Sequence, residues 1–387
     1  MKILIAHNTY QQRGGEDMVF EQESAMLAAT GYDVRRFMVH NDHIHGLAGK
    51  IAAARSVIIN KSSVAALCAE VDAFRPDVVH FHNFFPTLSP ASVGAVARRG
   101  IPAVLTLHNY RLICAGGMLL RAGRPCEDCV AHTGLAGVMH GCYRGSAVGS
   151  ALVVGMGMYF KRLLERYHRA ITLIALTEFA KSRFVADGFQ PERITVRGNV
   201  ISDPGTGLAT RERRIVYVGR LSPEKGVDTL LNAARDVDGM IEIIGDGPER
   251  TRLEAIAGAN VVFRGQLPSP EVLERVKSAT ALAVPSRWYE GFPMVVLEAM
   301  ATGTPVLASR IGSLAEIVTH EQTGLLLSPD DATSWREAMA DLLRSPSRAA
   351  TLGANARARF LEKHSMPIGM ESLAEIYSRA HEKLKAN

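Results

Sequence analysis

The stretch from Ala281 to Ser309 reads ALAVPSRWYEGFPMVVLEAMATGTPVLAS and contains one complete structural unit. Its two ends, ALAVP and TPVLAS, are short apolar runs typical of buried strands. A helix is expected to begin at Pro293, because proline suits a first helical position, where its missing N–H and fixed φ cost nothing. A strand, a helix and a second strand in this order predict a parallel sheet that is covered by helices.

Two glutamates stand eight residues apart in this stretch, Glu290 in the loop before the predicted helix and Glu298 inside it. The helix is apolar on almost every face, so we expect Glu298 to be buried. An unpaired buried carboxylate is costly, and a ligand bearing hydroxyls or a cation would satisfy it. The alternative is a structural pair, a capping acid and a buried acid that is paired with an arginine.

The same alternation of strands and helices continues through the whole chain of 387 residues, of which 47% are hydrophobic. This length suits two domains, and each half opens with a strand that leads into a glycine-bearing loop, first QQRGGEDMVFEQE and then GRLSPEKGVDTLL. The Gly- and Pro-rich segment VISDPGTGLATRERR is the predicted linker. We therefore predict two similar α/β doubly wound domains, residues 1–200 and 201–366, and a final helix over 367–387 that crosses back to the first domain.

Charge is distributed unevenly along the chain. Residues 1–200 carry 22 Lys and Arg against 15 Asp and Glu, a net charge of +7, whereas residues 201–387 carry 22 against 24, a net charge of −2. A basic first half favours an anionic partner such as a lipid headgroup or a sugar phosphate. No run rich in Lys and Arg with interleaved aromatic residues accompanies it, so a nucleic-acid partner is not expected.

The apolar segments favour a cytoplasmic protein and leave open a peripheral position at the inner face of the membrane. The chain opens MKILIAHNTY, which is typical of a strand and not of a secretion signal. The longest apolar run, Ala147 to Phe160, is shorter than the roughly 20 residues of a spanning helix. It is followed by Lys161, Arg162, Arg166 and Arg169. Such a helix either packs on a sheet or touches an anionic membrane face.

Candidate binding residues follow predicted strands, where ligands of doubly wound sheets bind. Arg220 and Lys225 in GRLSPEKG combine two cations with backbone N–H groups and a helix N-terminus, an arrangement that suits a diphosphate. The alternative is two solvated surface cations. Asp246 in the turn GDGP either reaches a ligand or belongs only to the turn. Motifs of dinucleotide dehydrogenases and of P-loop NTPases are absent.

Two histidines also end predicted strands of the first half. His108, in LTLHNY, is suited to hydrogen-bond a reacting sugar, and the case for His82, in HFHN, is weaker. For both, a structural role is the alternative. Gly14 and Gly15 follow the first strand, where they permit close backbone approach to a ligand or make a tight turn.

Four of the five cysteines fall in a short region of the first half, an insertion over residues 111–145. Cys114, Cys126, Cys129 and Cys142 are separated by eleven, two and twelve residues. One C-x-x-C pair flanked by single cysteines could form a structural four-thiolate zinc site. Free thiols are the alternative, and disulfides are less favoured without a secretion signal.

Taken in order, five motifs resemble the retaining glycosyltransferases of family 4. They are GG after the first strand, GRLSPEKG, GDGP, E-G-F-P-x(4)-E and EAMATGTPVLAS. The resemblance spans most of the chain and is most specific in the second half. It implies the GT-B fold, two Rossmann-like doubly wound domains facing a central cleft. It also implies retaining transfer of a sugar from a UDP- or GDP-linked donor to a glycan, lipid-linked or small-molecule acceptor, as in polysaccharide biosynthesis, with no cofactor required.

The resemblance also implies roles for residues that match the family's pattern. Arg220 and Lys225 would hold the diphosphate of the donor, and the backbone of Gly14 and Gly15 would approach it. Glu298 would accept the ribose hydroxyls. These assignments agree with simple chemistry, since one carboxylate accepts hydrogen bonds from two neighbouring hydroxyls.

The transferred sugar and its phosphate are assigned to the loop that precedes the second-half helix. Glu290 and the backbone N–H groups of Gly291, Phe292 and Met294 would hold them, and His108 matches the family's cleft histidine beside the sugar. The implied catalytic residues are His108, Glu290, Arg220 and Lys225.

One turn departs from the family's pattern, because the chain has Arg197-Gly198-Asn199-Val200 where P-N-G is frequent. Two other functions remain open at this point. A sugar-nucleotide epimerase of the same architecture would carry different acid and base carboxylates. A non-catalytic nucleotide-sugar-binding protein is less favoured, because the residues implied to act on the donor are intact.

Overall fold

The computed structural model describes residues 1–9, 14–41, 46, 49, 54, 56–208 and 210–385. Gln11 to Arg13, part of the first glycine-bearing loop of the sequence, therefore lie outside the described residues.

The chain divides into two compact units. The first comprises Met1–Leu119, Cys126–Asn199 and Gly369–Asn387, and the second comprises Leu120–Pro125 and Val200–Ile368. The division after Asn199 lies at the start of the predicted linker. The segment from Gly369 onward belongs to the first unit, and a short hairpin from the predicted insertion is grouped with the second.

In the first unit a six-stranded sheet, in which every pairing is parallel, has the strand order β2-β1-β3-β4-β7-β8. Helices connect its strands. The elements are β1 Lys2–Thr9, α1 Gly15–Ala29, β2 Asp33–His40, α2 Lys61–Phe74, β3 Val78–Asn83, α3 Pro90–Arg98, β4 Ala103–Leu107, the hairpin strands β5 Leu120–Arg121 and β6 Arg124–Pro125, α4 Leu135–Met139, α5 Ala147–Arg166, β7 Ile171–Ala175, α6 Glu178–Ala186 and β8 Ile194–Val196.

The second unit repeats this design with the strand order β11-β10-β9-β12-β13-β14, again all parallel. Its elements are β9 Glu212–Val218, α7 Val227–Ala234, β10 Met240–Ile244, α8 Arg250–Ile256, β11 Val261–Gly265, α9 Ser269–Ser278, β12 Ala279–Val284, α10 Met294–Ala301, β13 Val306–Ser309, α11 Leu314–Ile317, β14 Gly324–Leu327, α12 Ala332–Arg344 and α13 Pro346–Lys363. The last helix, α14, runs over Met366–Lys385.

Burial explains which strands the sequence reveals. The central strands β3, β4 and β12 are buried along their whole length, and β4 and β12 are almost entirely apolar, whereas β3 also buries two histidines and an asparagine. Strands β2, β8 and β14 were not predicted. The first has polar residues at exposed edge positions, and the other two contain only three and four residues.

Two predicted helices differ in detail from their expectations. Pro293 is the N-cap of α10, and Met294 is its first residue, so proline precedes the helix instead of beginning it. Helix α5 packs into the first unit through Val153, Met156 and Phe160, all nearly or completely buried. In the described part of the chain it is also the one helix long and apolar enough to cross a membrane, and 39% of that stretch is buried inside the protein.

Candidate functional site

The order of strands in each sheet reverses at one point, and ligands of such folds bind there, outside the carboxyl ends of the strands. In the second unit this point lies between β9 and β12, and in the first unit between β1 and β3. In each unit, the loops that follow these strands form a candidate binding region, which we call the half-site of that unit.

In the second unit the loops after β9 and β12 are locked together. Gly226 has φ +65°, and a Cβ at this position would lie 2.0 Å from the carbonyl oxygen of Pro285. The Arg287 N–H donates to the Glu224 carbonyl over 2.8 Å, and Arg287 Nη1 donates to Asp228 over 2.7 Å. Only glycine fits the first of these contacts, so the loop geometry is fixed by the backbone.

Glu290 is buried in this half-site and faces several donors. Its Oε1 atom accepts hydrogen bonds from Lys225 Nζ over 2.8 Å, Ser286 Oγ over 2.6 Å and Trp288 Nε1 over 2.9 Å. Its other oxygen has no hydrogen-bond partner in the described part of the chain. The loop acid is therefore held rigidly by one oxygen, and the second is left for a ligand. Its charged partner is Lys225.

Arg220 is the cation of this half-site that has no protein counter-charge. Its side chain is exposed and makes no hydrogen bond or ion pair with any residue that the structure describes. Its backbone carbonyl accepts a hydrogen bond from the Tyr217 hydroxyl over 2.9 Å, which holds the start of the loop. An arginine with a fixed backbone and a free guanidinium is suited to bind an anion.

Glu298 lies in α10 and is half-buried. Its carboxylate has no hydrogen-bond or ionic partner among the described residues, and burial raises its pKa. This agrees with the expectation of an unpaired acid, although Glu290, at 5% exposure, is the more buried of the two. Phe292 and Met294 are buried, and Gly291 is partly exposed, so these residues are anchored at the start of α10.

The turn GDGP after β10 serves packing. A Cβ at Gly245 would lie 1.9 Å from the Gly219 carbonyl oxygen, and one at Gly247 would lie 2.3 Å from that of Leu221. The Asp246 carboxylate accepts from the N–H of Gly247 over 2.7 Å and pairs with Arg250 at 3.2 Å. These contacts favour the structural interpretation of this turn.

In the first unit, Gly14 and Gly15 begin helix α1. The Gly14 N–H donates to the Asp17 carboxylate over 2.8 Å, so Asp17 caps the helix. Neither glycine has a positive φ, and a Cβ on Gly15 would meet no described atom within 4 Å. Packing among the described residues, which exclude 10–13, therefore does not require glycine at position 15, and this is compatible with a role in backbone approach to a ligand.

His108 follows β4 and is joined to His82. His108 Nε2 lies 3.1 Å from His82 Nδ1, and the two rings are stacked with centroids 5.3 Å apart. Burial and the neighbouring imidazoles of His82 and His7 hold the pKa of His108 well below its usual range. A neutral imidazole is therefore present at this strand end.

A set of buried residues around His82 was not identified from the sequence. The Glu23 carboxylate lies 3.3 Å from both His80 Nδ1 and His82 Nε2, and it pairs with Arg197 Nη1 at 2.7 Å. Burial and the nearby His82 lower the pKa of His80 to about 3. One sequence signal was available, because HFH places its two histidines on the same face of a strand.

The thiols of the four cysteines are not among the groups whose ligand atoms lie close enough together to hold one metal ion. Among the described residues, the group of three or more potential ligands whose ligand atoms lie within 4.8 Å of one another is Glu23, His80 and His82. Burial, followed by smaller electrostatic effects of the other three thiols, raises the pKa of Cys129. A zinc site formed by Cys114, Cys126, Cys129 and Cys142 stays a prediction, which elemental analysis of the purified protein would test.

Family models match both parts of the chain. A model of the glycosyl transferase 4-like domain matches residues 13–199, and a model of glycosyl transferases group 1 matches residues 202–359. An uncharacterized glycosyltransferase of Methanocaldococcus jannaschii is 26% identical to this chain, over 97% of the chain and 98% of its own length.

Solved structures share the fold at low identity. Sucrose-phosphate synthase from Thermosynechococcus elongatus superimposes with a TM-score of 0.73 and 21% identity, over 97% of this chain and 98% of its own. HepE of Anabaena, in complex with UDP, gives a TM-score of 0.67 and 18% identity, over 98% and 100%. The predicted fold class is confirmed, and the chain belongs to the glycosyltransferases of the GT-B fold.

Proposed function

We propose that this protein transfers a sugar from a nucleotide diphosphate sugar, UDP- or GDP-linked, to a hydroxyl acceptor with retention of anomeric configuration, as in family 4. The observation that carries the proposal is the half-site of the second unit. There, among the described residues, Arg220 has no partner, Lys225 forms an ion pair with Glu290, and the half-buried Glu298 is unpaired. All four residues lie in segments that follow β9 or β12, between which the strand order reverses. The UDP bound to HepE is consistent with this donor class.

The diphosphate is assigned to the two cations. Arg220 and Lys225 compensate the negative charge that builds on the diphosphate as the glycosidic bond breaks, so they stabilise the transition state more than the ground state. Lys225 is held in place by Glu290 at 2.8 Å, so little reorganisation is needed during the reaction. In this proposal no metal ion is required for departure of the nucleotide.

The hydroxyls of the donor are assigned to the two glutamates. Glu298 accepts the ribose hydroxyls, which give its unpaired carboxylate the hydrogen bonds it lacks. The free oxygen of Glu290 accepts a hydroxyl of the transferred sugar, together with backbone N–H groups of Gly291, Phe292 and Met294. His108 contacts a hydroxyl of the reacting sugar, and the backbone at Gly15 approaches the donor phosphate.

The experiment is incubation of the purified protein with a panel of UDP- and GDP-sugars, followed by detection of released nucleotide. Slow hydrolysis of one donor would identify base and sugar, and proton NMR of a product formed with an added acceptor would report the anomeric configuration. Turnover that persists in EDTA is expected. Interconversion of the sugar without nucleotide release would indicate an epimerase. Binding without any turnover, in the presence of glycan and lipid-linked acceptors, would indicate a binding protein.

The acceptor is proposed to be presented at an anionic membrane surface on the cytoplasmic side. Helix α4 packs on α5, and together they expose Leu135, Met139 and Val148, at 60%, 73% and 73%. The exposed face of α5 continues to Arg162 and Arg166. We call these five residues the α4–α5 surface. Apolar side chains beside arginines fit the boundary between acyl chains and anionic headgroups.

Vesicle flotation tests this surface. Binding to vesicles that contain phosphatidylglycerol should exceed binding to pure phosphatidylcholine and should weaken with salt. Val148→Glu should reduce binding several-fold, because a charge would enter the acyl boundary. The matched control is Leu361→Glu, which changes a leucine of α13 that is 45% exposed and lies outside the α4–α5 surface. Equal binding to both kinds of vesicle would contradict the proposal.

A further inference from the structure

His108 is the end of a row of four polar side chains in the first unit. His108 Nε2 lies 3.1 Å from His82 Nδ1, and His82 Nε2 lies 3.3 Å from Glu23 Oε1. The other oxygen of Glu23 accepts a hydrogen bond from Arg197 Nη1 over 2.7 Å. Arg197, Glu23 and His82 are buried, whereas His108 is partly exposed. We call these four residues the His108 row.

A cation does not fit in this row. Glu23, His80 and His82 bring their ligand atoms within 4.8 Å of one another, which is a metal-like spacing. However, Glu23 is already paired with the Arg197 guanidinium, and a second positive charge beside it would be repelled. Both ring nitrogens of His80 also have partners, the Tyr377 hydroxyl and Thr106 Oγ1, each at 2.8 Å.

The contacts within the His108 row determine which ring nitrogens of His82 and His108 carry protons. Glu23 Oε1 and His82 Nε2 are both buried, and neither has a geometrically good hydrogen-bond partner among the described residues. Although burial opposes ionisation of Glu23, Arg197 and His82 keep its pKa low, so the carboxylate can only accept. His82 Nε2 faces the carboxylate at 3.3 Å, so charge attraction, without a well-aligned hydrogen bond, favours the proton of the ring on this nitrogen. In the neutral ring, His82 Nδ1 is then an acceptor, and His108 Nε2 must donate to it.

This placement leaves His108 Nδ1 without a proton. That nitrogen has no partner in the described part of the chain. We propose that Glu23 and His82 are positioning residues that fix His108 as the Nε2–H tautomer, so that its Nδ1 accepts a hydrogen bond from a hydroxyl of the bound sugar. This inference rests on the proposed function, and it names the direction of the hydrogen bond at the reacting sugar.

The direction has a chemical consequence. A hydroxyl that donates to an imidazole gains electron density on its oxygen. Positive charge builds on the sugar ring during glycosyl transfer, and an electron-rich hydroxyl stabilises it. The opposite tautomer would donate to the sugar and withdraw electron density from it.

The first test is a direct measurement on the unliganded protein. Nitrogen-15 NMR of the imidazole rings distinguishes a protonated from an unprotonated nitrogen, and loss of one spin system in His108→Gln assigns the ring. We expect His108 with a proton on Nε2 and none on Nδ1 at neutral pH. A proton on Nδ1 would overturn the inference. This result does not depend on any substrate, so it stands or falls separately from the proposed function.

The second test changes Glu23 to glutamine. In Glu23→Gln the amide oxygen is expected to face Arg197, so the amide N–H₂ faces His82 and reverses the protons along the row. His108 should then become the Nδ1–H tautomer. With an active donor, kcat should fall about tenfold, the equivalent of one hydrogen bond. Affinity for the nucleotide diphosphate should not change, because the second unit holds it in the proposal.

Glu242→Gln is the matched control. Glu242 is fully buried in β10 of the second unit and pairs with Arg264 at 2.8 Å and Arg214 at 3.3 Å. Glu242→Gln removes the same charge as Glu23→Gln from the same kind of buried environment, but position 242 lies outside the His108 row. In the Glu242→Gln variant, the tautomer of His108 and the value of kcat should match those of the wild type. Equal losses of kcat in the two variants, with no change of tautomer in either, would show that Glu23 acts only through stability.

Discussion

The two half-sites use charge in opposite ways. In the second unit, Arg220 has no counter-charge among the described residues and Glu298 has no partner, so charge remains available to a ligand. In the first unit, Glu23 and Arg197 neutralise each other in a buried pair, and His108 is kept neutral by burial and by its neighbours. One half-site is prepared for an anion, and the other presents a hydrogen-bonding group without charge.

In the proposed function, this difference would match the two kinds of chemical group in a nucleotide sugar. A diphosphate is bound by charge, since arginine and lysine offer strong charge-assisted hydrogen bonds to phosphate oxygens. A sugar is bound through hydroxyls, and its recognition depends on the direction of individual hydrogen bonds. The contrast between the half-sites therefore predicts that substitutions in the second unit alter nucleotide binding and departure, and that substitutions in the first alter turnover.

Removal of Lys225, the cation that Glu290 holds in place, should have the largest effect on kcat. Lys225→Ala should lower kcat by roughly 10²- to 10³-fold, because a preorganised charge at the leaving group is lost. It also leaves Glu290 buried without its charged partner, although Ser286 and Trp288 still donate to it. Turnover of the active donor and the melting temperature should be measured together.

Lys225→Arg is the control for charge. It keeps a cation in the loop and should retain much of the activity that Lys225→Ala loses. If Lys225→Ala turned over at the wild-type rate, stabilisation of the leaving group would have to come from elsewhere.

The glycines offer a second way to sharpen the comparison. Gly245 in the second unit has φ +137°, and a Cβ there would meet the Gly219 carbonyl oxygen at 1.9 Å. Gly245→Ala should therefore cost about 3 kcal/mol of unfolding free energy or more. Gly15→Ala in the first unit should change stability by no more than about 0.5 kcal/mol, since no described atom lies within 4 Å of its Cβ.

Kinetic measurements distinguish the role of Gly15 from that of Gly245. If the backbone at Gly15 approaches the donor, Gly15→Ala should raise KM for the donor about fivefold or more at nearly unchanged stability, a loss of roughly one hydrogen bond. Chemical denaturation and kinetics on the same preparations test this. A Gly15→Ala enzyme with wild-type kinetics would assign the glycine pair to the turn alone.

The predictability of each half-site follows from how its residues are arranged along the chain. Arg220, Lys225 and Glu290 lie in short strand-to-helix loops, and their roles follow from local motifs at strand ends. The His108 row joins residues far apart, because Arg197 and Glu23 are 174 positions apart in sequence. No local pattern indicates such a pair.

The sheets show the same distinction. Strands buried on both faces, such as β4 and β12, are almost entirely apolar runs that the sequence reveals directly. The edge strand β2 was missed because its exposed positions carry polar side chains. The partner of Glu290 was also not anticipated, since Lys225 lies 65 positions away and was expected to face only the ligand.

Substitution of Glu298 should mainly affect nucleotide binding, and substitution of Glu290 should mainly affect turnover. Glu298→Ala should weaken binding of free nucleotide diphosphate by about 10- to 150-fold, which corresponds to roughly 1.5–3 kcal/mol for hydrogen bonds to a charged group. Glu290→Ala should lower kcat, because in the proposed function its free oxygen orients the reacting sugar, and it should weaken nucleotide affinity much less than Glu298→Ala does, through the lost bond to Lys225. Calorimetry with nucleotide diphosphate, beside turnover of the whole donor, measures both. Equal loss of nucleotide affinity in the two variants would falsify this division.

The last prediction concerns pH, and it tests whether Glu298 is the free acid of the second half-site. Burial raises its pKa in the unliganded protein. In the proposed function, the ionised form accepts two ribose hydroxyls. Affinity for nucleotide diphosphate should therefore be complete above this raised pKa and should decline as pH falls through it, by at most about tenfold per pH unit. Protonation of the diphosphate itself weakens binding in the same direction, so the informative quantity is the ratio of wild-type affinity to that of Glu298→Gln. We expect the ratio to shrink as pH falls from neutrality through the raised pKa of Glu298. A ratio that stays constant over this range would mean that Glu298 does not bind the ribose as a carboxylate, and the unpaired charge of the second unit would then reside in Arg220 alone.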